Sequence, residues 1–432
     1  MNSFFTVFIV AMGLLFARMP LAAVLGMTGF FGIWWVSGFY VAIYALTNPT
    51  MDILFRYSLL VLPMFILMGS LAVECKFGRK VFAAATSAIG HYPGGLAVGS
   101  ILGCGAFGAV IGSSLATVIT IGKFAIPEMQ SNGYSKTMSS GVIAAAGTLG
   151  ILIPPSLPMI IFAYLTNTSV GRLFAAGIVP GLLSMVIYVA IIRLWVWLYP
   201  ESAPVRQKAP WSDFFQALYD MWDVALVFIC VIGGIIAGIV APTEGGALGC
   251  AVIMILGLLR GSLKVAGILK AFAATAITTS MLYTVVLSVA IFNVFVSETG
   301  VPSALGAWIV GLGFSVSGTL ILIIISLLLL GCILDVLSII FIMTPIIFPI
   351  VRSLGVDPVW FGIMMIVVIE IGVITPPVGL NIFAMTKVIT GVRTRDLFVG
   401  VWPFVFADFI RLSLLFLFPI ISVWLPNLIY GA

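Results

Sequence analysis

Long apolar runs separated by short polar connections organise this chain. Charge read against hydropathy predicts spans at residues 3–18, 20–46, 57–74, 139–166, 173–198, 222–240, 245–259, 273–297, 358–388 and 399–426. Two more apolar stretches, 94–122 and 316–345, are crowded with Gly, Ser and Thr and leave no room for two full spans each. Each is expected to be a re-entrant helical hairpin, since irregular backbone at membrane depth survives only against protein or a wet cavity. The first run imitates a secretory signal. It lacks a basic leader and further apolar spans follow it, so it is expected to stay as an uncleaved helix.

Composition then excludes whole classes of function. With 62% hydrophobic and 8% charged residues in 432, and a mean hydropathy of +1.29, the chain is a polytopic all-α membrane protein rather than a soluble enzyme. Cys75, Cys104, Cys230, Cys250 and Cys332 stand singly without a CxxC, and His91 is the only histidine. That pattern argues against a transition metal or haem, leaving the thiols as small buried side chains. The run Gly103 to Gly108 reads GxGxxG, but no strand precedes it and it lies in an apolar stretch, so no organic cofactor is expected. Its glycines, with Gly112, are expected to let the hairpin arms pack closely.

The net charge of +5 sits in connections: Lys76, Arg79 and Lys80; Arg206 and Lys208; Arg260, Lys264 and Lys270; Lys387, Arg393 and Arg395. With the N-terminus periplasmic and both hairpins returning to their side of entry, all four clusters fall in the cytoplasm, and no nucleic-acid partner is needed to explain them. Residues 199–213, Pro-rich and charged, form a cytoplasmic linker between two comparable halves.

The halves resemble each other. An offset of 222 residues aligns KFAIPEM…GTLGILIPPS with IIFPIV…EIGVITPPV without a gap, pairing Pro127 with Pro349, Gly133 with Gly355, Gly150 with Gly372 and Pro154–Pro155 with Pro376–Pro377. Composition alone gives roughly half an identity of this kind in such a window. Five spans separate the equivalent points, so the copies are inverted repeats, the arrangement that alternating access needs.

The double prolines carry the chemistry. Pro155 and Pro377 have no N–H, so carbonyls around Gly150 to Ile153 and Gly372 to Thr375 are expected to lose their helical partners. Freed carbonyls can coordinate sodium, completed by the hydroxyls of Ser113 and Ser114 or the carboxylate of Asp335. The half-helices that start at Ser156 and Val378 aim N-terminal dipoles at the same place. An organic anion is expected there, with Gly379 and Asn381 beside it.

GSSLAT, the PEM before GYSK, GTLGILIPPS, LFAAGIVPG, APTEGGALG (with Thr243 and Glu244) and GVITPPVGLN resemble the large membrane subunit of the tripartite ATP-independent periplasmic (TRAP) transporters, over essentially the whole chain. The resemblance implies sodium-coupled uptake of an organic anion by an elevator movement, in a bacterial or archaeal inner or plasma membrane. A soluble periplasmic binding protein and a separate small four-helix membrane subunit are the implied partners. It maps one sodium site to Ser113 or Ser114 with Gly150, Ile153 and Pro155, and a second to Asp335, Gly372, Thr375 and Pro377. It also divides the chain into scaffold (1–75 and 214–297) and repeats (76–198 and 298–432). Carboxylates and sulfonates both remain possible substrates.

Four acids, Glu244, Asp335, Glu370 and Asp408, fall in apolar segments, where an unpaired charge costs ~3 kcal/mol. Asp408 and Arg411, one turn apart, are expected to pair. Asp335 is the functional choice, Glu370 a supporting or proton-bearing group, and Glu244 an interhelical hydrogen-bonder. Asn167 is a turn residue, and Trp34, Trp35, Trp195 and Trp197 an interfacial belt. A self-sufficient sodium and dicarboxylate symporter, an intramembrane hydrolase using Asp335 and Glu370, and a channel are the rival readings.

Overall fold

The computed structural model describes residues 2–205, 210–301, 304, 313–386 and 394–431, and among these no strand occurs. The chain opens with α1 (Asn2–Phe16), α2 (Leu21–Ser37), α3 (Phe39–Leu54) and α4 (Val61–Glu74). Helix α5 (Phe77–Ile89) leads into a helical pair, α6 (Gly95–Ile111) and α7 (Ser114–Ser131). A broken run follows, α8 (Lys136–Ala146), α9 (Leu149–Leu152) and α10 (Leu157–Thr166), and then the unbroken α11 (Val170–Leu198). The second half begins with α12 (Trp211–Phe228), which continues through one π-turn into α13 (Gly234–Ile236), then α14 (Pro242–Leu259) and α15 (Val265–Glu298). Its own helical pair is α16 (Val316–Gly331) and α17 (Val336–Ser353), its broken run α18 (Pro358–Ile374) and α19 (Leu380–Thr386), and its end α20 (Thr394–Leu417) and α21 (Ile420–Tyr430).

Several boundaries differ from those expected. Gly38, at φ 92°, divides the expected span 20–46 into α2 and α3, a backbone that glycine takes without a Cβ clash. Pro419, without an N–H, stands between α20 and α21 and divides 399–426. The linker ends early, since α12 starts at Trp211. Second hairpin arms run past the expected limits, to Ser131 and Ser353, with Pro127, Pro345 and Pro349 inside them. Arms of 17, 18, 16 and 18 residues reach ~24–27 Å, close to the ~30 Å apolar thickness of a bilayer. Arg206, Lys208, Lys387 and Arg393 lie outside the described residues, as does the end of the expected span 358–388.

Burial sorts the helices. α18 is buried from Val359 to Ile374, with Glu370 its one charged residue, whereas α2, α3 and α12 expose Trp35, Tyr40 and Phe215. The first sort forms the centre; the second lies on the outside of the chain. Four of the thiols are buried and free, and Cys230 is half-buried. Asn167 caps α10 in the left-handed conformation, as a turn residue should. Two of the basic clusters meet at one end: Lys80 and Arg260 both pair with Asp223, the latter at 2.9 Å, and Lys270 pairs with Glu74 at 2.7 Å.

Candidate functional site

Each break follows from its prolines. Pro154 and Pro155 offer no N–H to the carbonyls of Gly150 and Ile151. The Ile151 carbonyl instead accepts the Ser156 hydroxyl at 2.5 Å. In the second copy Gly372 O accepts from Thr375 N at 3.0 Å, and the Thr375 hydroxyl turns back onto Ile371 O at 2.5 Å. The expectation of a whole freed stretch therefore narrows: Ile151 and Gly372 are re-satisfied locally, while Gly150 and Val373 lose their helical donors to Pro154 and Pro377. Both Pro–Pro bonds are cis.

Helix pairs meet these breaks. Leu157 N donates to Gly112 O at 3.4 Å and Val378 N to Cys332 O at 3.3 Å, so each turn lies at the level of its neighbouring break. Close approach depends on glycine in both copies. A Cβ on Gly108 would sit 2.4 Å from Gly150 Cα, and one on Gly372 2.5 Å from Gly331 Cα. The glycines of GCGAFG thus pack on other elements rather than on the opposite arm, since Gly103 faces Phe82 and Gly105 faces Met185.

The turns carry matched caps. Ser113 caps α7, its hydroxyl accepting from Ala116 N at 3.4 Å. Asp335 caps α17, accepting from Leu337 N at 3.1 Å, from Ser338 N at 3.2 Å and from the Ser338 hydroxyl. The 222-residue offset pairs Ser113 with Asp335, so Ser113 is the counterpart of the acid. The Ser114 hydroxyl is taken by Asn381 Nδ2 at 2.7 Å, which also reaches Ala144 O at 3.3 Å. Asp335 is exposed and satisfied by its cap, unlike the buried, unpaired acid that hydropathy implied.

Both turns and the residues flanking both breaks line one cavity of about 300 Å³, whereas Gly150, Ile153, Pro155, Gly372, Thr375 and Pro377, expected at the ion sites, are not among its lining. Gly112, Ser113 and Ser114, with Ile151 and Leu157, line it from the first copy; Asp335, Val336 and Leu337, with Val373, Leu380 and Asn381, line it from the second. Of the four residues expected to hold substrate, Asn381 alone reaches this wall. Ser156 is fully buried, and the Val378 amide is already committed to Cys332. Asp335 is the one charged residue among the described lining. The wall is mostly apolar, and its polar side chains, those of Ser113, Ser114, Asp335 and Asn381, offer oxygen donors without thiol or imidazole, a hard set of the kind that suits sodium. A larger cleft of about 800 Å³ lies elsewhere, between the two joined basic clusters. Its Lys76, Arg79, Lys80 and Lys264 are interleaved with Glu74, Asp213 and Asp220, so its field favours neither sign.

Behind the second break lies a polar cluster that sequence reasoning resolved only in part. Arg411 Nη2 is 2.9 Å from Glu370 Oε2 and 3.1 Å from Asp408 Oδ1, so the expected Asp408–Arg411 pair is present, with Glu370 added. The distances make ion pairs, yet neither Glu370 oxygen has a well-directed hydrogen bond. Tyr188 donates to Asp408 at 2.8 Å, and Arg411 Nη1 donates to Ser184 at 2.6 Å. Glu370 does not face the cavity, so Asp335 and Glu370 do not converge as a hydrolytic pair would. Glu244, expected to bond between helices, is exposed and accepts from Ala241 N at 2.8 Å at the start of its own helix.

Comparison with known proteins agrees with this architecture. Residues 8–421 match the family described as tripartite ATP-independent periplasmic transporter, DctM component. The C4-dicarboxylate TRAP transporter large permease protein DctM of Rhodobacter capsulatus is 36% identical over 87% of this chain and 88% of its own. The ectoine TRAP transporter large permease protein TeaC of Halomonas elongata is 31% identical over 97% of both. The crystal structure of the Alcanivorax borkumensis YdaH transporter, described as having an unusual topology, shares the fold, with a TM-score of 0.61 over 90% of this chain and 88% of its own at 14% identity. The chain belongs to the DctM family: it is a large permease subunit of a TRAP transporter, a multi-pass inner-membrane protein and not an enzyme. Members work with a substrate-binding protein and a small subunit.

Proposed function

We propose that this permease couples sodium entry to uptake of an organic anion, a carboxylate or a sulfonate, received from its periplasmic binding protein and carried by an elevator movement. One observation carries the reading: both turns and the flanks of both breaks, one set from each copy, line a single cavity in which the oxygens of Ser113, Ser114, Asp335 and Asn381 are the polar side-chain groups. Ser113, Gly150, Ile153 and Pro155 form one ion site, with Ser114 held back by Asn381; Asp335, Gly372, Thr375 and Pro377 form the other. No fixed cation is among the described lining residues, so an anionic substrate is stabilised there by sodium that arrives with it. Residues 76–198 and 298–432 move against a scaffold of 1–75 and 214–297. The meeting of Lys80 and Arg260 at Asp223 supports a shared cytoplasmic end for their clusters, and hence a periplasmic N-terminus.

The test is uptake in proteoliposomes. With the small subunit and binding protein present, transport is expected only under an inward sodium gradient. Uptake by this chain alone favours a self-sufficient symporter, and uptake indifferent to sodium removes the ion sites.

A further inference from the structure

We infer that Tyr188, Asp408 and Arg411 couple the two ion sites to each other, through Thr148 at the first break and Glu370 at the second; this rests on the sodium reading above. Thr148 and Glu370 are counterparts at the 222-residue offset, and each stands two residues before the glycine of its break. Both reach the same cluster. The Thr148 hydroxyl, which donates to Ala145 O at 2.7 Å, lies against the Tyr188 hydroxyl at 3.4 Å, and Tyr188 shares its one proton between the two oxygens of Asp408 at 2.8 and 2.9 Å. Arg411 Nη2 spans the remaining gap, at 3.1 Å from Asp408 and 2.9 Å from Glu370. A row of polar side chains in contact therefore joins the backbone near Gly150 with the backbone near Gly372, its first link a contact between two hydroxyls whose protons are given elsewhere.

All of these residues are fully buried, so their interactions escape solvent screening. A static brace for one guanidinium needs one acid. Here two carboxylates share one nitrogen, so the position of Arg411 depends on both, and a shift of Glu370 on cation binding alters the hold on Asp408 and Tyr188. Coupling of this kind is reciprocal: each ion raises the affinity for the other. Thr148, Tyr188, Glu370 and Arg411 act as positioning residues and touch no ion themselves.

The experiment is the sodium dependence of uptake by the complete transporter, read as the Hill coefficient. Wild type is expected to be steep, and Tyr188→Phe is expected to fall toward one while still requiring sodium. Thr148→Val, which removes one hydroxyl at constant shape, is expected to do the same, and it decides the matter if Tyr188→Phe does not assemble. A merely structural role would lower the amount of transporter without changing the steepness. Unchanged steepness in both variants, or a wild-type coefficient of one, overturns the coupling and leaves the ion sites standing. Wild-type uptake without sodium overturns the sodium reading and the coupling with it.

Discussion

The two copies of the turn-and-break unit share their geometry and differ in their charge. Ser113 in the first stands where the second has Asp335, and Thr148 stands where it has Glu370. Glycine contacts, caps and backbone bridges recur on both sides, but not at identical offsets, and the first copy breaks once more, between α8 and α9, where α18 is continuous. The general form of the unit is thus what the two halves share, and the negative charge is added to one half only, with hydroxyls in one copy where the other has carboxylates. The acidic copy is also the one that needs compensation, which Arg411 supplies to Glu370 and the helix start of α17 supplies to Asp335.

The sharpest way to break the comparison is to remove that compensation. Arg411→Ala leaves Glu370 and Asp408 buried without a cation, and losing one partner of a buried pair costs ~3–5 kcal/mol. The variant is expected to lose thermal stability and assembly in membranes, measured by melting of the purified complex. The triple change Arg411→Met, Glu370→Thr, Asp408→Asn, which takes the second copy toward the first, is expected to recover much of the loss. No recovery would show that the acids act there as more than a matched charge set.

Shape is tested next. Gly372→Ala would put a methyl 2.5 Å from the backbone of Gly331, and Gly108→Ala one 2.4 Å from that of Gly150. Neither contact is with a flexible side chain, so both variants are expected to lose ~1–3 kcal/mol and most of their transport. Equal losses sharpen the equivalence of the copies; a tolerated alanine in one breaks it.

Legibility followed the range of each interaction. The breaks were readable because a proline removes its own N–H, wherever the chain folds, and the repeat multiplied that local signal. Expected spans went astray at Gly38 and at Pro419, where a single residue inside an apolar run leaves hydropathy unchanged and alters only the backbone. Glu370 was visible as an acid needing an explanation, but its partner is 41 positions away, on another helix, and no spacing rule reaches that far. In the sequence Asn381 stands out only by its place after a break. Its bonds to Ser114 and Ala144, which tie the two copies together, came only with the fold. Tyr188 and Ser184 carried no signal beyond being polar groups in a long apolar helix.

Charge at the cavity comes third. Asp335→Asn keeps the cap, since asparagine accepts from the same amides about as well as aspartate, so stability is expected to change little. Under the sodium reading the lost charge is expected to lower sodium affinity about tenfold, ~1.4 kcal/mol. Uptake should fail at low sodium and recover when sodium is raised. An unchanged sodium midpoint would make Asp335 a capping residue only, and the two copies would then be alike in function as well as in shape.

The smallest effect is expected at the neutral counterpart. Ser113→Ala removes the hydroxyl that accepts from Ala116 N, a bond of 3.4 Å and hence a weak one, so the loss should lie near the low end of the ~0.5–2 kcal/mol range for a helix cap. The Ser113 carbonyl, which accepts from Thr117 Oγ1 at 2.8 Å beside Gly150, is unaffected by the change. If the first ion site uses that carbonyl, the sodium midpoint of Ser113→Ala stays within about twofold of wild type, a fraction of a kcal/mol. If it uses the hydroxyl, the midpoint rises as far as it does in Asp335→Asn, and hydroxyl and carboxylate are equivalent ligands in the two copies. Measuring both variants in one sodium titration separates a pair of sites built alike from backbone, one with an added charge, from a pair built on their side chains.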